Sequence, residues 1–318
     1  MKQKQNLAKP GRRERMGRDW RKRGDTLFLV VIYAVLFLSV IMTVYPLVYT
    51  LSASFSSPSA VFSGRMILFP VDITLDGYRY IVQYNEIWIG YANTFFYTIV
   101  GTLLNLLVTI PCAYALSNRN MHGRNVIMVL FVITMYFSGG MIPNYLNIVS
   151  LGLLDTRAVI LLYGLVSTYN LILARTFFST SIPWELHEAA ALDGAGDFKI
   201  MKAVVLPLSK AIIAVLSLYY AVGHWNSYFN EMIYLSDRNK YPLQVFLREI
   251  LTLSQYNTQA MEEGGYSVAE MQKMIQAIDT ANLVKYCVIV VSVVPMMVLY
   301  PFVQKFFAKG VMIGAIKG

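Results

Sequence analysis

Six long apolar runs separated by polar stretches set the pattern of the chain. They are roughly Leu27–Tyr49, Asn93–Leu116, Val126–Val149, Ala158–Phe178, Ala211–Leu235 and Leu283–Phe307. A helix needs about 20 predominantly apolar residues to cross the hydrocarbon core of a bilayer, and each run reaches that length. The pattern predicts an all-α polytopic membrane protein with six transmembrane helices. The first run follows a basic segment, as in a secretory signal peptide. A signal h-region, however, spans only about 7–15 residues. The run is read as a retained first helix, with cleavage after Ser52, Ala53 and Ser54 as the alternative.

The polar stretches set the orientation. The N-terminal segment, the loop Ser117–Asn125 with Arg119 and Arg124, the loop Ser179–Lys210 with Lys199, Lys202 and Lys210, and the C-terminal end with Lys305, Lys309 and Lys317 all fall on one side of six spans. The other connections are offset by Asp72, Asp76, Glu86, Asp155, Glu262 and Glu263. Basic loops stay in the cytoplasm, so both termini are expected there. The third run is interrupted by Ser138-Gly139-Gly140 and Pro143. Either the helix ends there near the outer surface, or it breaks within the membrane where protein or water satisfies the freed backbone. Two outer connections are long, Thr50–Ala92 and Ser236–Asn282. In the second, Val268, Met271, Ile275 and Ile278 sit at helical spacing, which predicts an amphipathic helix over Tyr266–Ala281.

Composition agrees with this pattern. Hydrophobic residues make up 56% of the 318 and charged residues 14%, against about a quarter charged in soluble domains. The net charge of +9 could point to nucleic acid, but ten of the 27 basic residues precede Gly24, directly before the first span. That placement reads as an orientation signal and a contact with anionic lipid, with no nucleic acid implied. Cys112 and Cys287 lie in apolar runs and read as packing residues, with no metal spacing. The histidines are His122, His187 and His224, and none forms HExxH or accompanies a GxSxG serine. Glu231, near the outer end of the fifth run, is the one carboxylate in the spans. Ion-coupled transport would favour more of them.

The loop between the fourth and fifth runs carries its own punctuation. Thr180 or Ser181 can cap a helix, Pro183 suits a first turn, and Gly194 and Gly196 suit a helix end. Asp197 can cap a second helix with Phe198, Met201, Val205 and Leu208 on one face. Pro207 stiffens the entry to the fifth span. The sequence therefore predicts two short helices joined by a glycine turn. The first is bared by Ala189, Ala190 and Ala191, with Glu188 at its edge. Small side chains let another surface approach closely, which describes a docking element and not a catalytic one.

Glu188-Ala189-Ala190, Asp193-Gly194-Ala195 and Leu206-Pro207 together resemble the EAA motif of ATP-binding-cassette (ABC) importer permeases, with Val204 in place of the usual Ile. The resemblance runs from about Thr26 to the end. Asn93-Thr94, Gly101-Thr102 and Ala113-Tyr114-Ala115-Leu116 resemble the second span of maltose-type carbohydrate permeases. Ile142-Pro143-Asn144-Tyr145 and Leu151-Gly152-Leu153 are similar to the segment after their third span. The tail Lys309–Gly318 resembles that of the G subunit, and Gly223–Phe229 is similar to the branch found with complex oligosaccharides.

The resemblance implies a type I ABC importer permease fold in a bacterial cell membrane. The expected organisation is a basic tail (1–26), a six-helix permease domain (27–308) with its coupling loop at 179–210, and a C-terminal tail (309–318). The implied partners are a second permease in a heterodimer, an ABC ATPase dimer, an extracellular sugar-binding protein at Ser236–Asn282, and the lipid bilayer. Glu188, Ala189, Ala190, Asp193, Gly194, Leu206 and Pro207 would couple to the ATPase, and Gly310, Gly314 and Lys317 would reach it from the tail. No Gly-Lys-Ser/Thr phosphate loop occurs, so the chain is not expected to be an enzyme or to bind a cofactor. ATP and Mg would be used by the ATPase. A sugar path would draw on aromatic and amide groups. Candidates are Tyr163, Ser167, Tyr169 and Asn170 in the fourth span, and His224, Trp225, Asn226, Tyr228, Phe229 and Asn230 in the fifth. Helix packing explains either cluster equally well. The alternatives are an ABC permease for a non-sugar solute and an ion-coupled secondary transporter.

Overall fold

The computed structural model describes residues 12–252 and 284–298, together with positions 272, 273, 275, 278, 281, 282 and 301. No strand occurs among them. The chain forms two compact units, divided after Thr74.

The first unit is built on α1 (Arg12–Ser54) and α2 (Pro58–Phe62). Helix α1 begins inside the basic segment and runs without a break into the first apolar run, whose spanning part is Phe28–Ser54. Most large apolar side chains from Phe28 to Leu51 are exposed. An apolar surface of that length is stable against lipid tails and not against water. Beyond α1, the chain is pinned by Ser52 Oγ, which donates to the Leu68 carbonyl at 2.6 Å, and by an Arg65–Asp72 ion pair at 2.9 Å.

The second unit contains α3 (Asp76–Gln83), α4 (Asn85–Ser117), α5 (Arg124–Tyr136), α6 (Met141–Ser150), α7 (Arg157–Leu162), α8 (Thr168–Ser181) and α9 (Trp184–Leu192). Next come α10 (Asp197–Ile200), a π-helical turn (Met201–Val205), α11 (Leu206–Leu208), α12 (Lys210–Asn226) and α13 (Phe229–Tyr234). Two further helices, α14 (243–252) and α15 (Val284–Val298), follow among the described residues. The long helix α4 is the axis, packed chiefly against α8 and α12. Its buried face carries Asn93, Thr94, Tyr97, Thr98, Gly101, Thr102, Asn105 and Thr109. Small and polar residues on that face let the helices approach and hydrogen-bond across, which is how helices associate in lipid.

Three of the six apolar runs are not continuous helices. The third ends at Tyr136, and α6 sets off at 114° to α5. Helix α5 has 13 residues, about 20 Å at 1.5 Å per residue, short of a hydrocarbon core of about 30 Å. The cause is Gly140, at φ 87° and ψ 170°, a conformation essentially restricted to glycine. The fourth run breaks between α7 and α8, where Gly164 has φ +71° and Ser167 accepts from the Asn170 N–H to start the new helix. The fifth breaks at Ser227 and Tyr228, and its entry at Ser209 is bent by 84° just after Pro207. Of the sixth run, Val284–Val298 is a helix.

The loop 236–242 leads into α14, which buries Leu243, Val245 and Phe246 completely. This part of the expected polar connection is therefore packed structure, and the helical spacing of Leu243, Phe246, Leu247 and Ile250 was the overlooked signal. In the expected amphipathic helix, Ile275 and Ile278 are helical, while Val268 and Met271 lie outside the described residues.

Candidate functional site

A polar cavity of about 300 Å3 opens between α4, α8 and α12, where the fourth and fifth runs break. Breaking a helix frees backbone groups, and here side chains from neighbouring helices take them up. Asn105 Nδ2 donates to the Leu165 carbonyl at 2.7 Å. The Tyr220 hydroxyl accepts from the Ser167 N–H at 3.2 Å and shares a second bond of 2.7 Å with Thr109 Oγ1. Because the Asn105 amide nitrogen faces Leu165, its Oδ1 faces His224 at 2.7 Å. His224 therefore donates from Nε2, which fixes its tautomer. Ser227 Oγ donates to the Glu231 carboxylate at 2.9 Å, and Glu231 is only 2% exposed.

Of the residues singled out for a sugar path, Tyr163, Ser167, Asn170, His224 and Asn230 line this cavity. Trp225, Asn226 and Tyr228 do not. They border a larger, mostly apolar hollow of about 660 Å3 between α12, α14 and α15. Trp225 is 1% exposed, donates to the Ser292 carbonyl at 3.0 Å and packs edge-on to Phe95. Its surroundings are those of a packing residue. The cavity also holds Asn105, Tyr219, Tyr220, Ser227 and Glu231, which sequence reasoning did not select for it. Asn105 was findable, because a lone amide in the middle of an apolar span must have a partner.

At one end of α4 a second polar group is built around Asn93. Its Nδ2 donates to the carbonyls of Asn239 (2.7 Å) and Tyr241 (3.0 Å), and its Oδ1 accepts from Arg157 at 2.9 Å. Thr94 Oγ1 accepts from the Leu243 N–H at 2.9 Å. The pair Asn93-Thr94 thus ties the start of α14 to α4. Arg238 bridges Glu86 and Glu249 at 2.8 and 2.9 Å, and those two carboxylates hold its guanidinium above its ordinary pKa. Asp155 accepts from the Ser236 and Asp237 N–H groups, and those bonds lower its pKa. Asn93→Ala leaves two carbonyls and a guanidinium without their partner. At about 1–3 kcal/mol for each unmet buried group, unfolding in detergent should shift down by several degrees. A midpoint equal to wild type would show that water replaces the amide.

At the other end of α4 lies the loop of the EAA-like motif. Helix α9 ends in a hydrogen-bonded C-cap. The Gly194 N–H donates to the Ala191 carbonyl and the Ala195 N–H to the Ala190 carbonyl, both at 3.0 Å. This is the Schellman arrangement, and it requires the left-handed residue found at Gly194, with φ +75°. The start of α9 differs from expectation. Pro183 is its N-cap, while Ser181 is the last residue of α8 and Thr180 Oγ1 donates back to the Thr176 carbonyl. Gly196 and not Asp197 is the N-cap of α10. The proposed face of the second helix also splits. Met201 and Val205 are buried while Phe198 and Leu208 are exposed, and the π-helical turn at Met201–Val205 shifts the register of Leu208. Glu188, Ala189, Asp193, Gly194 and Pro207 are exposed, and Ala190 and Leu206 are half-buried. Leu192 is 90% and Phe198 74% exposed. Gly310, Gly314 and Lys317 lie outside the described residues.

Apolar helices broken around a hydrogen-bonding cavity, with a bare two-helix loop at one end, are the architecture of a membrane permease. The comparisons agree. The chain is 39% identical over 294 residues to the polygalacturonan/rhamnogalacturonan transport system permease protein YtcP of Bacillus subtilis (strain 168), covering 92% of this chain and 99% of that one. It is 37% identical over 277 residues to protein LplC of the same organism, covering 87% and 90%. A solved bacterial ABC transporter involved in import of the acidic polysaccharide alginate contains a chain that superposes with a TM-score of 0.78. That chain is 36% identical, with coverage of 90% of this chain and 98% of that one. No family model matches. The chain belongs to the family of carbohydrate ABC transporter permeases, the membrane subunits of sugar importers.

Proposed function

We propose that this chain is a six-span subunit of a bacterial cell-membrane importer, with both termini in the cytoplasm, and that it passes oligosaccharides through the cavity at Asn105, Asn170 and His224. The observation that carries this reading is the pair of helix breaks, at 163–167 and 227–228, bordering one polar cavity. Irregular backbone at membrane depth belongs where it lines a substrate path. Amides and hydroxyls there match sugar hydroxyls, and Tyr163 and Tyr219 offer ring faces. Similar proteins are named for polygalacturonan/rhamnogalacturonan and for alginate, which supports fragments of uronate-bearing polysaccharides as cargo. The grouping of loops supports the six-span order. Segments assigned to the cytoplasm meet around Ser117, Arg175 and Trp184, whereas those assigned outside meet around Asn93, Asp155 and Lys240.

In this reading the exposed loop of Glu188, Ala189, Ala190, Asp193 and Gly194, backed by Leu206 and Pro207, docks in a cleft of one subunit of an ABC ATPase dimer. Leu192 and Phe198 supply apolar contacts. The tail residues Gly310, Gly314 and Lys317 add a second contact. A second permease completes the path, and an extracellular sugar-binding protein delivers cargo to the 236–282 side. ATP and Mg are handled by the ATPase, so this subunit rectifies motion and performs no hydrolysis.

Co-purification from the native membrane tests the assembly. An ATPase pair and a second permease should accompany the chain, whereas a homomer active in uptake without ATP would overturn the proposal. For the path, Asn170→Ala and Asn230→Ala should each lower uptake of labelled oligosaccharide about tenfold, the value of one lost hydrogen bond to a demanding site. The amount of ATPase recovered should stay unchanged. Unaltered uptake in both variants would remove the cavity from the path.

A further inference from the structure

Behind the coupling loop lies a small basic pocket that neither the sugar path nor the EAA-like motif accounts for. It has a volume of about 180 Å3 and forms where the ends of α4 and α8 meet the starts of α5 and α9. Arg119, Arg124 and Arg175 line it, with Trp184 and His187. No carboxylate lines it, and none of the three arginines is ion-paired among the described residues. The contrast with the far end of α4 is sharp, since Arg238 there sits between two carboxylates.

Few of the available donors are used. Arg175 Nε donates to the Leu116 carbonyl at 3.2 Å, and Arg124 Nη1 to the Asn118 carbonyl at 3.1 Å. Arg119 lies over the Trp184 ring, 5.7 Å from its centre. A guanidinium carries five N–H donors, so most of the fifteen or so present face the pocket or water. The floor is rigid. Trp184, His187 and Tyr114 form a stack with ring separations of 4.9 and 5.9 Å, nearly parallel at 14° and 15°. Within that stack, His187 Nδ1 and the Tyr114 hydroxyl are buried and lack a hydrogen-bond partner. Three like charges around one hollow repel each other unless an anion joins them. The pocket is smaller than the roughly 300–1,000 Å3 of drug-sized sites, which leaves room for a headgroup and excludes a nucleotide or an oligosaccharide.

We propose that this pocket binds a phosphate group, that of an anionic phospholipid headgroup or free phosphate. Forked guanidinium donors match phosphate oxygens. Phe178 and Ile182, both buried in the core, close the apolar side of the pocket. The cytoplasmic leaflet, where the six-span order puts these loops, carries the anionic lipids. A bound phosphate would join Arg119 and Arg124 to Arg175 and so fix the base of α9, the helix that the reading above assigns to the ATPase. This last step and the choice of the cytoplasmic leaflet rest on that reading, but the phosphate chemistry of the pocket does not.

The test uses the assembled transporter in nanodiscs of phosphatidylcholine with graded phosphatidylglycerol. Phosphatidylglycerol retained through detergent extraction is counted by native mass spectrometry, and ATPase activity is followed in parallel. Wild type should retain the anionic lipid, and Arg119→Gln should weaken retention about tenfold, as expected for one lost charged hydrogen bond. The double variant with Arg124→Gln should weaken it further, and Arg119→Lys should keep much of it. Arg119 has no backbone hydrogen bond to lose, so its variants should fold and assemble. Displacement of the lipid by inorganic phosphate identifies free phosphate as a ligand of the same pocket, while retention against it identifies the headgroup. Equal retention of both probes by wild type and the double variant would overturn the proposal. Lost retention with unchanged ATPase stimulation would leave the phosphate site standing and remove its link to coupling.

Discussion

Gly194→Val is expected to leave membrane insertion and the helical fold intact while lowering ATP-driven uptake roughly thirtyfold, the scale of an interface hot spot of about 2 kcal/mol. A Cβ at this glycine would meet nothing within 4 Å in the chain itself. The intrachain penalty is therefore conformational and local. A residue with a Cβ held at positive φ costs about 1–2 kcal/mol, and a β-branched one is the worst choice. That cost falls on one exposed residue whose added side chain meets nothing in the chain, so the rest of the fold should hold. The loss should appear where the loop meets the ATPase, as less ATPase co-purified per permease or as less uptake per ATPase bound. Gly194→Asn separates the two causes, because asparagine tolerates the left-handed region but adds bulk. Failure of both variants assigns the position to the interface, and failure of valine alone assigns it to the turn. Normal uptake by the valine variant would remove Gly194 from coupling.

What could be read in the sequence follows the range of the forces involved. Length and apolarity located the first two spans, because each depends only on its own residues meeting lipid. The glycine turn at Gly194 was legible for the same reason, since a C-cap is closed by residues at most five apart. The breaks in the fourth and fifth runs were not legible. Gly164 marked the first only as one of many glycines, and Ser227 carried no mark. The break in the fourth run depends on partners distant in the chain, Asn105 for Leu165 and Tyr220 for Ser167. The division of Gly223–Asn230 between two hollows was hidden likewise. Adjacent residues of one helix face different neighbours, and only the packing of α12 between α4 and α15 decides that His224 meets Asn105 while Trp225 meets Ser292. The role of Asn93-Thr94 shows the same limit. The sequence offers the pair as a family resemblance, and the structure supplies its physical meaning in the carbonyls of Asn239 and Tyr241.

Gly101→Ala should disturb the cavity through a different property of glycine, close approach instead of positive φ. A Cβ built there would lie 2.5 Å from His224 Nε2 and 2.6 Å from Cε1, with the third ring atom at 2.9 Å. No methyl group fits at that distance, so the imidazole must move or α12 must shift away from α4. Either movement breaks the bond from His224 to Asn105, and Asn105 also holds the Leu165 carbonyl at the break in the fourth run. Two buried polar contacts are then at risk, worth about 1–3 kcal/mol each. The expected result is a lower unfolding midpoint in detergent and uptake reduced about tenfold or more, with the amount of bound ATPase unchanged because α9 lies beyond the C-terminal end of α4, away from the Gly101–His224 contact. A double-mutant cycle with His224→Ala locates the cause. Removing the ring makes room for the methyl group, so the stability losses should be strongly non-additive, with a coupling energy in the range of about 0.5–3 kcal/mol seen for touching residues. Uptake should not recover in the double variant, because the proposed path includes the imidazole. Additive stability losses would mean that Gly101 is required for some other contact, and recovered uptake would mean that His224 positions the helices without meeting the sugar.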